Sequence, residues 1–203
     1  MTVKARRARE KQLLRQEILD AARALFIREG YENVSMRKIA EKIDYSPTTI
    51  YLYFQDKSEL LYALCEETFA RLVQELKAIE NASRDPVENL KEGLRRYVDF
   101  GLRHPQHYML TFMIPHEHAQ DKTRYLSRDS MGMRAFAFLP RGIEECIRRK
   151  KFRPVDVQAA GQGLWAAIHG VTSLLISHKE FPWVKRDVLV ETVIETAVKS
   201  LRA

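Results

Sequence analysis

Apolar residues recur along this chain at three- and four-residue intervals almost from end to end, and runs that alternate as a strand would are scarce. Leu14, Ile18, Ala21, Ala22, Leu25 and Phe26 share one helical face, which predicts a helix running to about Arg28. Gly30 is its natural stop, just past the last periodic residue. Met36, Ile39, Ala40 and Ile43 make the next stripe behind Ser35 as N-cap, with Arg37, Lys38, Glu41 and Lys42 facing out. Asp44-Tyr45 breaks that pattern. Ser46-Pro47 restarts it with an N-cap followed by proline at the first helical position. In this third segment Ile50 and Phe54 share the inward face with Pro47, while Thr48, Leu52 and Gln55 point the other way, flanked by Thr49 and Tyr51. A helix this short is marginal by itself, so another surface must hold it.

The periodicity continues. Asp56 to Glu59 reads as a capping box with Asp in place of Ser or Thr, and it opens a long helix through Leu60, Leu61, Leu64, Thr68, Leu72 and Leu76 to about Ile79. Asn81 to Arg84 reads as a loop. Asp85-Pro86 with Glu88 starts a helix that carries Leu90, Leu94, Tyr97, Val98 and Leu102 and ends near His104-Pro105. A short apolar helix is predicted within Pro105 to Pro115, and a polar loop over His116 to Arg124. From about Thr123 to Lys150 the pattern is helical again, and Pro140 should kink the helix or split it. Two long helices close the chain, Val155 to about His178 and Val184 to Leu201, with Phe181-Pro182-Trp183 turning between them. The fold class expected is all-α.

Two short helices with the second pinned across the first are the helix-turn-helix arrangement that places a recognition helix in the DNA major groove. The stretch from Gly30 to Leu60, GYENVSMRKIAEKIDYSPTTIYLYFQDKSEL, resembles the DNA-binding domain of the TetR family of transcriptional regulators. The Gly-Tyr lead-in, the Ile-Ala pair, the Tyr-x-Tyr-Phe end and the Lys57 that follows all carry the likeness. Near the other end, WAAIHG from Trp165 to Gly170 is similar to a Trp…His-Gly signature in the C-terminal domain of one subset of these regulators. The resemblance implies a three-helix DNA-binding domain followed by a helical effector-binding and dimerisation domain. The boundaries expected are a basic arm over 1–11, the DNA-binding domain over 12–57 with its motif at 35–54, and the helical domain over 58–203.

Charge adds to this picture by its placement. The net charge of +7 is common among soluble proteins and decides little. Lys4, Arg6, Arg7, Arg9 and Lys11 against Glu10, however, put +4 in the first eleven residues, whereas Ser46 to Phe54 carries no charge. Affinity for DNA would come largely from the arm and flanking cations, with the neutral helix left for base edges. No apolar run is long enough for a membrane span, and the N-terminal stretch lacks the apolar segment of a secretory signal. Cys65 and Cys146 lack metal spacing and suit a reducing cytosol, so a cytoplasmic location is expected.

For DNA contact, the helical wheel and the resemblance agree on Thr48, Thr49, Tyr51 and Leu52, with the Leu52 side chain or the Thr48 methyl suited to a thymine methyl. Ser46 and Pro47 open that helix. By resemblance, Tyr53 and Lys57 match positions that contact phosphate, and Arg37 one that reaches a base or phosphate; Ser35 and Tyr45 are weaker phosphate candidates. Tyr51 and Tyr53 could equally be packing aromatics. An effector pocket, which the family usually encloses, would draw on Tyr97, Tyr108, Met109, Phe112, Met113, Met131, Phe136 and Trp165, with His169 as a polar anchor. Each of these also fits a plain core. The family pairs its last two long helices with those of a second subunit. That assigns a dimer interface to Leu164, Ile168, Val171 and Leu175, beside Gly161, Gly163, Ala166, Ala167 and Gly170, and to Val190, Ile194, Ala197 and Leu201. His116-Glu117-His118, with His104 and His107 nearby, has a short His-x-His spacing but no third converging ligand, so a solvated loop outweighs a metal site.

The function expected is a homodimeric, sequence-specific regulator, most often a repressor in this family, released from a palindromic operator by a small, mostly apolar effector, with no cofactor. An architectural DNA binder without effector is the alternative. A metal-dependent hydrolase stands far behind, because no nucleophile–base pair, Gly-rich phosphate loop or HExxH motif supports it.

Overall fold

The computed structural model describes residues 2–79, 85–114 and 122–202, without the side chains of residues 122 and 123. Its ordered elements are helices: α1 (Val3–Glu29), α2 (Met36–Lys42), α3 (Pro47–Tyr51), α4 (Lys57–Lys77), α5 (Pro86–Arg103), α6 (Pro105–Phe112), α7 (Lys122–Tyr125), α8 (Met131–Phe136), α9 (Phe138–Arg148), α10 (Val157–Ser177) and α11 (Arg186–Lys199). Among the described residues the sole β feature is an isolated bridge between Phe152 and Arg202. The chain forms two compact units, 1–68 with 106–125, and 69–105 with 126–203. The division falls inside α4.

The local rules hold at most helix ends. Gly30 closes α1 with φ 80°, a conformation strained for any residue with a Cβ. Ser35, Ser46 and Asp85 each cap the helix they were expected to start, accepting from the N–H of Lys38, Thr49 and Val87. At α4 the Glu59 N–H donates to Asp56 Oδ1 at 2.8 Å, while Glu59 Oε2 accepts from the Gln55 N–H at 2.6 Å, one residue earlier than in a regular capping box.

Residues 3–11, expected as a basic arm, continue α1 toward the N-terminus, capped by Thr2, whose hydroxyl accepts from the Ala5 N–H at 3.3 Å. Ala, Arg, Lys, Glu and Gln are strong helix formers, and that propensity extends the helix beyond its apolar face. The helical stretch expected over 123–150, with a kink or split at Pro140, is three helices, α7, α8 and α9. The α8–α9 break falls at Ala137, so Pro140 sits in the first turn of α9, where its missing N–H costs no helical bond.

In the first unit, Ile18, Leu19, Ala22, Leu25 and Phe26 of α1 are buried together with Ile39 and Ala40 of α2, Ile50 of α3 and Phe54. Arg23 ties α1 to α4 through Glu67 at 2.9 Å. In the second unit α10 packs on α5, α9 and α11, and α5 on α9 and α11. Gly142 admits the closest approach there, since a Cβ on it would meet Leu90 Cδ1 at 3.0 Å. Lys91 pairs with Glu195 at 2.6 Å and Arg95 with Glu191 at 2.6 Å, which sets α5 and α11 antiparallel in one register.

Candidate nucleic-acid interface

The recognition segment is built from behind. Ile50 and Phe54 are 0% and 2% exposed, and together they anchor α3 to the unit's core. Between α2 and α3 the chain turns on Asp44, whose φ of 57° places it in the left-handed region that Asp and Asn tolerate. The Tyr45 N–H reaches back to the Ala40 carbonyl at 3.0 Å and closes the end of α2. Ser46 accepts from the Thr49 N–H at 3.2 Å, and its hydroxyl lies 2.9 Å from Thr49 Oγ1.

What this scaffold presents is uncharged and outward. Leu52 is 75% exposed and Tyr51 and Tyr45 are also exposed. Thr48 and Ser46 are exposed, whereas Pro47, Thr49 and Tyr53 are half-buried. Ser35 and Arg37 are exposed at the start of α2, Arg37 pairing with Glu41 at 3.2 Å. Lys57 is more constrained than the sequence suggests. Its ammonium donates to the Tyr31 carbonyl at 2.7 Å and lies 4.1 Å from the Tyr31 ring centroid. One of its three donors is thus committed. Burial pushes the Tyr31 phenol up to about 12, so that ring stays neutral beside it.

Two contributors escaped the sequence reading. Asp44 carries a recognisable signal, an Asp at a break between periodic segments. The other is Arg15, whose guanidinium lies 5.1 Å from the centroid of the Phe54 ring; its signal was the spacing it shares with the basic residues of early α1.

The nine effector candidates divide between the units. Tyr108 is fully buried in the first and stacks on Phe112 with centroids 4.7 Å apart, so it serves the core, while Met109 and Met113 are exposed. In the second unit the Tyr97 hydroxyl accepts from Trp165 Nε1 at 3.2 Å and lies 3.4 Å from His169 Nδ1. Phe136 meets Trp165 edge-on at 6.1 Å, and Met131 is half-buried on α8. Burial lowers the His169 pKa below its ordinary value, which favours the neutral ring needed to accept from Tyr97. The sequence named these three residues but not the thread joining them.

Of the expected dimer residues, Leu164, Ile168, Val171, Val190, Ile194 and Leu201 are buried within this chain, and Leu175 and Ala197 are half-buried. They form the inward faces of α10 and α11, because an apolar stripe marks burial without saying against which chain. The outward face of α10 is Ala159, Gly163, Ala166, Gly170 and Leu174, with Val188, Thr192 and Thr196 exposed on α11. A Cβ at Gly163 or Gly170 would meet nothing within 4 Å. Cys65 and Cys146 are free and buried, their thiols pushed up to about 12 by desolvation. His116, Glu117 and His118 lie outside the described residues; among those described, no three metal-ligating side chains converge and no helix is long and apolar enough to cross a membrane.

Two family models match the chain. One, described as bacterial regulatory proteins, tetR family, covers residues 18–64; the other, described as tetracyclin repressor-like, C-terminal domain, covers residues 90–201. The HTH-type transcriptional repressor AcnR of Corynebacterium efficiens is 35% identical over 83 residues, 41% of this chain and 43% of that one. The HTH-type transcriptional regulator SAB2452 of Staphylococcus aureus is 31% identical over 86 residues, 42% and 46% of the two chains. The chain spans a little under half the length of these curated relatives. Among solved structures, AibR in complex with isovaleryl coenzyme A and operator DNA superposes with a TM-score of 0.72 at 19% identity, over 90% of this chain and 96% of that one. The fatty acid degradation regulator FadR from Bacillus halodurans gives 0.70 at 21%, over 91% and 94%. At these identities the solved structures share the fold.

Proposed function

The chain belongs to the TetR family of bacterial regulatory proteins, and from that premise we propose that it is a homodimeric repressor that reads a palindromic operator through α3. One observation carries the reading: Leu52, an apolar side chain 75% exposed, follows the exposed Tyr51 at the end of a helix whose opposite side, Ile50, is wholly buried. The helix's lack of charge favours base edges over phosphates, and Thr48, Tyr51 and Leu52 are the side chains that reach them.

A second copy would cover the stripe Ala159, Gly163, Ala166, Gly170 and Leu174, where small residues let two α10 helices approach closely. The effector we propose is a small, mostly apolar molecule bound in the second unit beside Tyr97, Trp165 and His169, whose side chains are joined in one hydrogen-bonded thread. That the structure of AibR holds isovaleryl coenzyme A together with operator DNA supports a ligand-responsive regulator, though that ligand is larger and far more polar than the one proposed here. Release requires the effector to favour the arrangement that DNA does not, by about 1–3 kcal/mol in the usual range. The test is selection from a random duplex library, followed by titration of the selected palindrome and a scrambled duplex at two salt concentrations. Equal affinity for both makes the protein an architectural binder and ends the proposal.

A further inference from the structure

The helix α10 runs 21 residues without an aspartate, glutamate, lysine or arginine, and His169 is the one side chain on it whose charge can change near neutral pH. The α5 face around Tyr97 is neutral as well, since Gly93, Leu94, Phe100 and Gly101 lie one turn to either side of it. Charged groups on the neighbouring helices are engaged with one another. Lys91 and Arg95 of α5 hold Glu195 and Glu191 of α11, each at 2.6 Å. Arg134 of α8 pairs with Asp129 at 3.8 Å; on α9, Arg148 and Arg149 share Glu145, and Arg141 lies over the Phe138 ring. Burial lowers the His169 pKa, and no charged group of these helices contributes.

The thread itself has a direction. An indole N–H donates and cannot accept, so the Tyr97 oxygen takes the Trp165 proton at 3.2 Å. The Tyr97 O–H is then the proton left for His169 Nδ1, 3.4 Å away, which sets a neutral ring with its own proton on Nε2. Protonating the ring puts an N–H on Nδ1 against the hydroxyl. The Tyr97 oxygen would then accept from both sides, and its own proton would turn out of the thread. Tyr97 is buried, whereas Trp165 keeps 38% exposure and leaves the thread open to solvent along the indole.

We infer that this site takes an effector without charge and that His169 gates it: the neutral ring admits the molecule and the protonated ring refuses it. The inference rests on the effector reading above. A molecule lying on Trp165 removes water from the thread. A charge brought there loses its hydration, with no opposite charge on α10 or on the α5 face to replace it. Protonated His169 is such a charge, so a bound effector holds the ring neutral, and proton and effector exclude each other by linkage. The exclusion is absent above the ordinary histidine value of about 6.5 and sets in as pH falls through the lowered folded one.

The experiment uses two probe series, each with one apolar body and three heads. They are octanamide, octanoate and octylammonium, and cyclohexanecarboxamide, cyclohexanecarboxylate and cyclohexylmethylammonium. Full-length Trp183→Phe protein leaves Trp165 as its sole tryptophan, and its fluorescence is titrated from about pH 8 to about pH 5 beside thermal melts. At the upper pH the amides should bind at least about tenfold more tightly than either charged partner. Below the folded pKa their affinity should fall by about tenfold per pH unit, one proton being excluded per site. His169→Gln, neutral throughout, should keep the preference for amides and lose the pH dependence. If circular dichroism shows that variant unfolded, the charge series and the pH profile of the His169 protein decide by themselves. A carboxylate or ammonium that binds as tightly as its amide overturns the inference, as does an amide affinity that stays level across the pH range; in both cases the effector site stands. A folded His169→Gln protein with the same pH dependence shows that another group titrates, and His169 is then no gate. If no member of either series changes the fluorescence or the melting temperature, the effector reading falls and the inference falls with it.

Discussion

Leu52→Ala separates what α3 does for recognition from what it does for the fold. The side chain is 75% exposed, so truncation opens no cavity, and surface substitutions of this kind stay within about 0.5 kcal/mol. Complete burial of a leucine side chain contributes about 1.5–3 kcal/mol, so covering the exposed three-quarters against a thymine methyl is worth about 1–2 kcal/mol. At 1.4 kcal/mol per decade that is about 5- to 30-fold in affinity per half-site. The contrast is Ile50→Ala two residues away, where removing a side chain that is 0% exposed costs about 2–5 kcal/mol of stability. The assay is fluorescence anisotropy on the selected operator and on duplexes with each thymine replaced in turn by uracil, which removes only the methyl. Wild-type protein should lose affinity at one symmetric pair of thymines, and Leu52→Ala should be indifferent there while every other position behaves as before. Thermal melts run alongside should coincide. A Leu52→Ala protein that melts several degrees lower, or that loses the same factor on every duplex regardless of methyls, refutes the assignment.

Lys57→Ala should weaken binding to all duplexes alike and lower the salt slope by about one per subunit, and it should also lower the melting temperature, because the bond to the Tyr31 carbonyl goes with it; a change in base preference in a salt-series titration contradicts this. Ile194→Asp places a charge at a site that is 0% exposed within the subunit and should abolish the fold, whereas Leu174→Asp, on the outward face, should give a folded monomer. Circular dichroism with sedimentation velocity decides the pair, and a folded Ile194→Asp monomer would restore the inward stripe as the interface. The Arg95 hydrogen bond holds the Glu191 carboxyl below its ordinary range, so the folded pKa lies under the unfolded one. The stabilisation is then complete above the unfolded value of about 4.3 and fades as pH falls through the folded one. Urea melts at pH 7 and pH 3 should show Arg95→Met destabilised at the first and closer to wild type at the second; an equal gap at both rules out the linkage.

Local rules read the helix ends from the sequence because their determinants lie within four residues of one another. Ser35, Ser46, Asp85 and Gly30 act through their own backbone and the next turn, and Pro47 and Pro86 through a fixed φ. The family resemblance reached further, since the order of small, apolar and aromatic positions from Gly30 to Leu60 is one that few other folds demand. Counting charge by segment hides the continuity of α1: Lys11 falls in the basic stretch and Ile18 in the apolar one, although one helix holds both.

Tertiary structure alone decided what each apolar face meets. Ile194 and Val190 look the same in sequence whether a neighbouring helix or a second subunit covers them, because burial responds to area removed from water and not to its source. The thread through Tyr97, Trp165 and His169 and the pairs Lys91–Glu195 and Arg95–Glu191 join residues 68 to 104 positions apart. No local pattern encodes such pairs; they exist only once α5, α10 and α11 are packed in register. Lys57 is the same lesson at shorter range, since its hold on the Tyr31 carbonyl appears only when the chain between them has folded back.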